Sequence, residues 1–181
     1  MPLVFVDVEA IPNVHTEDAL ALISDSGITR YRLKAKIWDI YSVENEPYWY
    51  FPEGINVERF DSLFQVEGNI VADTAYYYEK KRLWHAIGNV VVKNMEGTTF
   101  ETSELFWDQK VPPNDVNAFY TFQSVKITKP DGTFIYGLDG FKADQSLVTI
   151  FLFSGKGELN IEESPGSLEQ DTLLSDSILS P

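Results

Sequence analysis

Residues 68–110, which read GNIVADTAYYYEKKRLWHAIGNVVVKNMEGTTFETSELFWDQK, decide the fold. Runs rich in Val, Tyr, Thr and Trp alternate with charged or glycine-bearing turns at residues 79–81, 94–97 and 108–110. These residue types suit a pleated, half-buried surface, and the short polar breaks suit hairpin turns. The stretch therefore predicts two β-hairpins in tandem, and it contains no catalytic motif.

Strict alternation indicates another strand at residues 28–38, ITRYRLKAKIW. Apolar and small side chains at positions 29, 31, 33 and 35 face one way, and the basic side chains at positions 30, 32, 34 and 36 face the other. A helix would scatter these cations around its circumference. The basic row fits two interpretations, a charged edge strand that discourages aggregation or a docking face for an acidic partner or phosphate.

A repeated spacing extends the β pattern over the middle of the chain. A small or apolar residue is followed by apolar residues three and five positions later, and each copy precedes a polar turn. The copies are Ala35/Trp38/Ile40, Ala72/Ala75/Tyr77, Thr102/Leu105/Trp107 and Leu138/Phe141/Ala143. A step of three interrupts the two-residue period of a strand and predicts a bulge in each outgoing strand. With a returning strand between copies, we expect an all-β, twisted antiparallel sheet of tandem bulged hairpins that bends at one level, as in a jelly roll.

The composition separates the middle of the chain from its ends. Residues 1–18 and 162–181 are acidic, and we expect the first segment to be irregular and the second to be a disordered tail. Residues 19–161 form the predicted domain. The net charge of −14 argues against nucleic acid as a partner. No apolar run is long enough for a transmembrane helix, and the first residues lack the positive charge of a secretory signal.

The sequence offers few residues for catalysis. His15 lies in the acidic first segment, and His85 lies alone within a strand, where a histidine is more often structural. Two carboxylate pairs, Glu101 with Glu104 and Asp73 with Glu79, could face each other in the cleft of a jelly-roll carbohydrate enzyme, although solvated surface positions are favoured. We therefore predict no catalytic residue, no metal site, no cofactor and no enzymatic activity.

The aromatic residues are consecutive at 48–51 and 76–78, so they must occupy both faces of a sheet. One face builds a core. The rings on the other face either thicken that core or contact a partner or ligand.

Four stretches together resemble the LptC family, the periplasmic component of lipopolysaccharide export. They are residues 25–35 (DSGITRYRLKA), 50–61 (YFPEGINVERFD), 75–97 (AYYYEKKRLWHAIGNVVVKNMEG) and 102–110 (TSELFWDQK). The resemblance covers about residues 24–160. Phe51 departs from the tyrosine expected before Pro52. Family members also carry an N-terminal anchor, so we expect an inner-membrane anchoring segment that is absent from this chain.

The resemblance implies an OstA-like β-jelly roll in the periplasm, open at both ends. The acyl chains of lipopolysaccharide would slide through its apolar interior, driven by an inner-membrane ABC transporter and without covalent chemistry. An LptA-like soluble bridge or another OstA-like lipid-binding module is the alternative, and a jelly-roll carbohydrate enzyme is the rival from another class.

The face assignment gives the predicted lipid groove as Tyr31, Leu33, Ile55, Val57, Val90, Val92, Phe100, Val125, Ile127 and Phe134. The resemblance also implies partner-binding edges, at Ile28, Arg30 and Arg32 for the transporter, and at Val148, Thr149, Phe151 and Phe153 for an LptA-like protein. Pairing of two such edges would give a homodimer. Both faces of the last strand are apolar, so its parity stays open.

Overall fold

The structure is a computed structural model that describes residues 11–42 and 45–158. The described chain forms fourteen strands, and all their pairings are antiparallel. The strands are β1 Val14–Asp25, β2 Ile28–Tyr41, β3 Tyr48–Phe51, β4 Ile55–Phe60, β5 Val66–Ala72, β6 Thr74–Tyr78, β7 Leu83–Lys93, β8 Thr99–Asp108, β9 Phe119–Thr121, β10 Val125–Thr128, β11 Phe134–Gly137, β12 Phe141–Ala143, β13 Ile150–Leu152 and β14 Gly155–Glu158. The predicted all-β, antiparallel class is confirmed. Within the two described ranges, no helix is long and apolar enough to cross a membrane.

The strands form two layers that share four long members, β1, β2, β7 and β8. Strand β2 pairs with β4 at residues 31–35 and with β3 at residues 39–41. Strand β8 likewise pairs with β10 in its first half and with β9 in its second. Layer one thus contains β3, β6, β9, β12 and β13, and layer two contains β4, β5, β10, β11 and β14. Each long strand contributes half of its length to each layer.

The change from one layer to the other falls at the same level in every repeat, as the spacing of three predicts. Asp73 alone separates β5 from β6, and residues 138–140 separate β11 from β12. At this level, the register shift of the β7–β8 pair lies in the returning strand β7, between Ile87 and Val90, and not in the outgoing strand β8. The predicted place of this bulge was therefore wrong. Gly88 and Asn89 explain the difference, because both have positive φ, +78° and +42°, which glycine and asparagine tolerate best.

The two layers face each other across one apolar core. Phe100 of layer two stacks on Phe141 of layer one with ring centroids 5.5 Å apart, and Tyr31 contacts Trp107 at 5.7 Å. These pairs lie on strands that are not hydrogen-bonded neighbours. The sheet must therefore be folded over on itself, and burial of its inner face stabilises the fold by about 25 cal/mol per Å² of apolar surface.

The N-terminal edge differs from the prediction. Strand β1 begins at Val14, inside the segment expected to be irregular, and it pairs with β2 over almost its whole length. Ile28, Arg30 and Arg32 consequently do not form a free edge, because β1 covers them. Residues 1–10 and the predicted tail at 162–181 lie outside the described residues.

At the other end, β13 pairs with β12 alone among the described strands. Ile150 and Leu152 pack against the core, whereas Phe151 is 57% exposed, and this settles the parity of the strand. Val148 and Thr149 precede β13, and the amide of Phe153 donates to the carbonyl oxygen of Gly140. Strand β14, which pairs with β11, was not predicted, because its Gly-Lys-Gly start has little strand propensity.

Candidate functional site

A cleft of about 500 Å³ lies between the tips of the two layers, at the strand ends remote from the level where strands cross. Layer one and its turns supply Trp49, Tyr77, Arg82, Trp84, Trp107 and Gln109. Layer two supplies Ile23, Arg30, Tyr31, Val57, Arg59, Phe60 and Glu67. This volume is in the range of small-molecule sites in proteins.

One wall of the cleft is a run of contacting aromatic rings. The Tyr77 ring lies 4.8 Å from that of Trp49 and 4.7 Å from that of Trp84, and Trp84 stacks at 6.4 Å on Trp107. These residues hold inward positions of neighbouring strands, next to their tips, so the strand period brings them into one row. The wall presents apolar ring surface to the cleft.

Arg30 and Arg59 line the opposite side of the cleft, and Arg82 lies in a turn of layer one, beside Tyr77. Arg59 points inward because it holds the same face of β4 as Val57. Its Nε donates to Glu67 Oε2 at 2.7 Å, and its Nη1 donates to the carbonyl oxygen of Gln145 at 2.8 Å. With Arg30 and Arg82 added and Glu67 subtracted, the lining has a formal charge of +2 in a chain whose net charge is −14.

Burial changes the properties of two polar groups in the cleft, the Tyr31 phenol and the Trp84 indole N–H. Burial raises the pKa of the Tyr31 phenol, against the opposing effect of the charges of Arg59, Arg82 and Arg30. All three guanidinium groups therefore act on one phenol. The indole Nε1 of Trp84 is buried and has no hydrogen-bond acceptor among the described residues.

Residues 144–147, which we call the strap, close the mouth beside the cleft. Gln145 accepts a hydrogen bond from Trp107 Nε1 at 2.8 Å and donates to the carbonyl oxygens of Asp108 and Val111. Asn94 Nδ2 donates across the mouth to the carbonyl oxygen of Leu147 at 3.1 Å. The strap thus joins the tips of layer one to those of layer two.

Behind the strap lies a smaller cavity of about 40 Å³, whose apolar lining includes Ile70, Val92 and Leu147. It shares Tyr31 and Trp107 with the cleft. A separate small cavity between the layers shares Trp84 and Trp107 with the cleft, and its remaining lining is apolar and includes Ile55, Ala86 and Leu105.

The predicted groove residues lie mostly in the closed core. Buried there are Leu33, Ile55, Val57, Val90, Val92, Phe100, Val125 and Ile127. Only Tyr31 and Val57 also line the cleft. Phe134 lies on the opposite face of the sheet, where its ring contacts Tyr136 and the ammonium group of Lys126. Its assignment to the inner face was wrong, because β10 and β11 pair Phe134 with the outward Thr128 and not with Ile127.

Sequence reasoning missed most of the residues that line the cleft. Trp84 and Trp107 hold the same faces as Ala86 and Leu105, so their inward orientation follows from the strand period. Arg59 was also detectable, as a charge at an inward position of a strand. The orientation of Arg82 could not be predicted, because it lies in a turn and a turn has no regular side-chain period.

The carboxylates considered for catalysis do not converge. Glu104 accepts a hydrogen bond from His85 at 2.7 Å on the outer face of layer one, whereas Glu101 is exposed on layer two. Asp73 bonds Asn89, and Glu79 accepts the indole N–H of Trp49. Neither pair faces a common substrate space in the described chain.

The outer face of layer one carries its own row of stacked rings, which we call the outer ladder. Tyr50 stacks on Tyr76 at 4.6 Å, and Phe106 stacks on His85 at 4.2 Å and on Tyr120 at 5.1 Å. The interplanar angles are 19°, 14° and 11°. These outward aromatics therefore cover each other's faces, which explains why consecutive aromatic residues occur in the strands.

The fold and the cleft define a two-layer, all-β protein with an aromatic, cation-lined mouth. Comparison with protein-family models gives no match for this chain, and comparison with curated proteins gives none.

Proposed function

We propose that the protein binds the acyl chains of an amphiphile between its layers and acts in lipopolysaccharide transport, as a member of the LptC family. In this role it accepts lipopolysaccharide from an inner-membrane ABC transporter and passes it to an LptA-like bridge in the periplasm. The aromatic-walled cleft at the mouth of two apolar-faced layers carries this proposal. We assign the folded sheet to the OstA-like jelly rolls on the same grounds.

An acyl chain gains free energy in such a site by leaving water, at about 25 cal/mol per Å² of apolar surface. The aromatic wall offers that surface without requiring any reacting group. Deeper between the layers, fully buried side chains such as Phe100 and Phe141 fill the space. We infer that a chain enters at the cleft and reaches the predicted groove residues only when the layers separate.

The sheet edges support the proposed contacts with partners. Among the described strands, β1 pairs with β2 alone, and its Leu20 and Leu22 side chains are 67% and 58% exposed. An edge strand can take up a strand of another protein by β-augmentation. We propose that the transporter docks along β1, and that the LptA-like protein docks along β13.

Site-specific photo-crosslinking tests the proposed function. We expect a photoreactive residue at Tyr77 or Tyr31, in the cleft, to capture lipopolysaccharide during transport by the reconstituted transporter. The matched control is Tyr136, an exposed tyrosine on the outer face of layer two. Transport without adducts at either cleft position, or equal adducts at Tyr136, would rule out the cleft as the route.

A further inference from the structure

The residues that line the cleft carry three positive charges and one negative charge, and one further carboxylate, Glu79, lies beside the cleft at Trp49. Glu67 pairs with Arg59, whereas no described carboxylate lies within ion-pair distance of Arg30 or Arg82. Arg82 has the phenol of Tyr77 as a hydrogen-bond partner. In so acidic a chain, two guanidinium groups without a described carboxylate partner beside an apolar wall require a reason other than overall solubility. An anionic ligand supplies one.

We propose that Arg30, Arg59 and Arg82 bind a phosphate group on the head of an anionic amphiphile. This inference rests on the proposed function, because it takes the cleft to be the lipid site. A phosphomonoester carries about −1.5 to −2 charges at pH 7, which matches the +2 of the lining better than a single carboxylate would. Guanidinium groups also fit phosphate oxygens with paired N–H donors.

The local structure holds the three arginines at one end of the cleft. Arg59 is the register partner of Tyr31, and Arg30 is its chain neighbour. Arg82 belongs to the turn between β6 and β7, where its carbonyl oxygen accepts the amide of Gln109 at 3.0 Å. Their joint influence on the pKa of the Tyr31 phenol agrees with this convergence.

The unpaired indole of Trp84 indicates a second polar contact. The residue is only 7% exposed and lines the cleft, so its Nε1–H is a buried donor without a described acceptor. A buried donor left in this state destabilises the fold, because it has lost its hydrogen bonds to water without gaining another. An oxygen of the ligand, such as an acyl ester carbonyl, would accept this hydrogen bond.

These contacts fix the orientation of the bound amphiphile. The phosphate lies at the arginines, and the chain follows the aromatic wall past Trp84 towards the apolar cavity lined by Ile55 and Leu105. The head group therefore stays at the mouth, where water remains accessible, and the chain enters first between the layers.

Tryptophan fluorescence of the full chain can measure binding directly, because Trp49, Trp84 and Trp107 line the cleft. The probes are lysophosphatidic acid, the monoacylglycerol with the same chain, and inorganic phosphate, with both lipids kept below their micelle concentrations. We expect the wild-type protein to bind the phosphorylated lipid about tenfold or more tightly than the unphosphorylated one, as charge-assisted hydrogen bonds predict. The double variant Arg30→Gln, Arg82→Gln should bring this ratio towards one.

The matched control is Arg32→Gln, on the same strand as Arg30 but paired with Glu58, which should keep the wild-type ratio. Equal affinity of the wild-type protein for both lipids would overturn the phosphate site and leave the lipid cleft standing. Binding of neither lipid would overturn the proposed function as well. Inorganic phosphate binding as tightly as the phosphorylated lipid would instead show a site for free phosphate. The wild-type comparison needs no variant, so a misfolded variant does not affect it.

Discussion

Gly140 shows how tightly single residues fix the place where strands cross between layers. Its φ is +101°, and a Cβ atom there would lie 2.0 Å from the carbonyl oxygen of Thr121. Gly27 has a similar φ of +79°, but a Cβ atom there would have no atom within 4 Å. A side chain at Gly27 would therefore cause backbone strain alone, whereas a side chain at Gly140 would cause strain and a steric clash.

We expect Gly27→Ala to lower the free energy of unfolding by about 1 kcal/mol, the usual cost of a left-handed conformation for a residue with a Cβ. Gly140→Ala should cost about 3 kcal/mol or more, because the collision adds to that strain. Urea unfolding of the two variants measures the difference. Equal losses would mean that the backbone near Thr121 moves aside freely.

Alternation predicted the orientation of individual residues well where the strands are long and regular. Leu33, Val90 and Phe100 are buried as expected. The inward orientation of Arg59 could be predicted from the strand period. Its place in the lining of a cleft could not, because the cleft forms only when the layers meet. The unpaired indole N–H of Trp84 could not be predicted, because hydrogen-bond satisfaction depends on distant strands.

At the scale of strands, the outer ladder ties neighbouring strands of layer one together. Tyr76 contacts the rings of Tyr48, Tyr50, Tyr78 and His85. Burial, followed by the hydrogen bond with Tyr50, raises the pKa of Tyr76 to about 12 from its ordinary value of 10.0. The protonated phenol thus stabilises the fold fully below pH 10, and this contribution is lost as the pH rises towards 12.

We expect Tyr76→Phe to be less stable than wild type at pH 8, by about 1 kcal/mol for the lost hydrogen bond. The difference should shrink at pH 11, because the variant has no phenol to ionise at this position. Urea unfolding at the two pH values tests this. Phe106→Leu perturbs the same ladder without removing an ionisable group, so its gap from wild type should stay constant. A constant gap for Tyr76→Phe would contradict the raised pKa.

The spacing of three predicted where the strands change layers, because a period is a local property of the chain. The bulge in β7 was placed in the wrong strand, since either partner of a pair can absorb an extra residue. The pairing of β1 with β2 was missed because β1 does not alternate: residues 15–18 are all polar and residues 19–23 are all apolar.

At the scale of the whole molecule, hydrogen bonds hold the strap across the mouth, and Asn94 makes one of them. The buried side chain of Asn94 accepts hydrogen bonds from the amides of Glu96 and Thr98, at 3.0 and 2.9 Å, and donates one to Leu147. Asn94→Asp keeps both acceptor roles, but it places a carboxylate oxygen against a carbonyl oxygen. The substitution therefore releases the strap without changing the turn.

We expect Asn94→Asp to lower the free energy of unfolding by about 1–3 kcal/mol and to speed amide hydrogen exchange at residues 144–147. Hydrogen exchange followed by mass spectrometry measures the second effect. Asn117→Asp, at an exposed loop position, is the control and should leave exchange in the strap unchanged. Unaltered exchange in Asn94→Asp would show that the other contacts of the strap hold it closed.

The location of the cleft could not be predicted from sequence, because it depends on which strand tips meet after the sheet folds over. Tyr31 and Trp107 are far apart in the order of strands, yet they share its lining. The resemblance to a lipid-transport family led to the apolar faces but not to the arginines at the mouth.

The four long strands that pass through both layers have a mechanical consequence. Because β1, β2, β7 and β8 are continuous through both layers, the layers are not free to slide past one another. Their separation is a hinge rotation about the level where the strands cross. Next to the crossing level lie four small buried residues, Ala35, Ala72, Ala75 and Ala86. A small rotation of one layer against the other displaces the strand tips at the mouth most and the crossing level least. We therefore expect a ligand to be bound and released in the cleft, next to Arg30, Arg59 and Arg82, while the core packing near the crossing level stays intact.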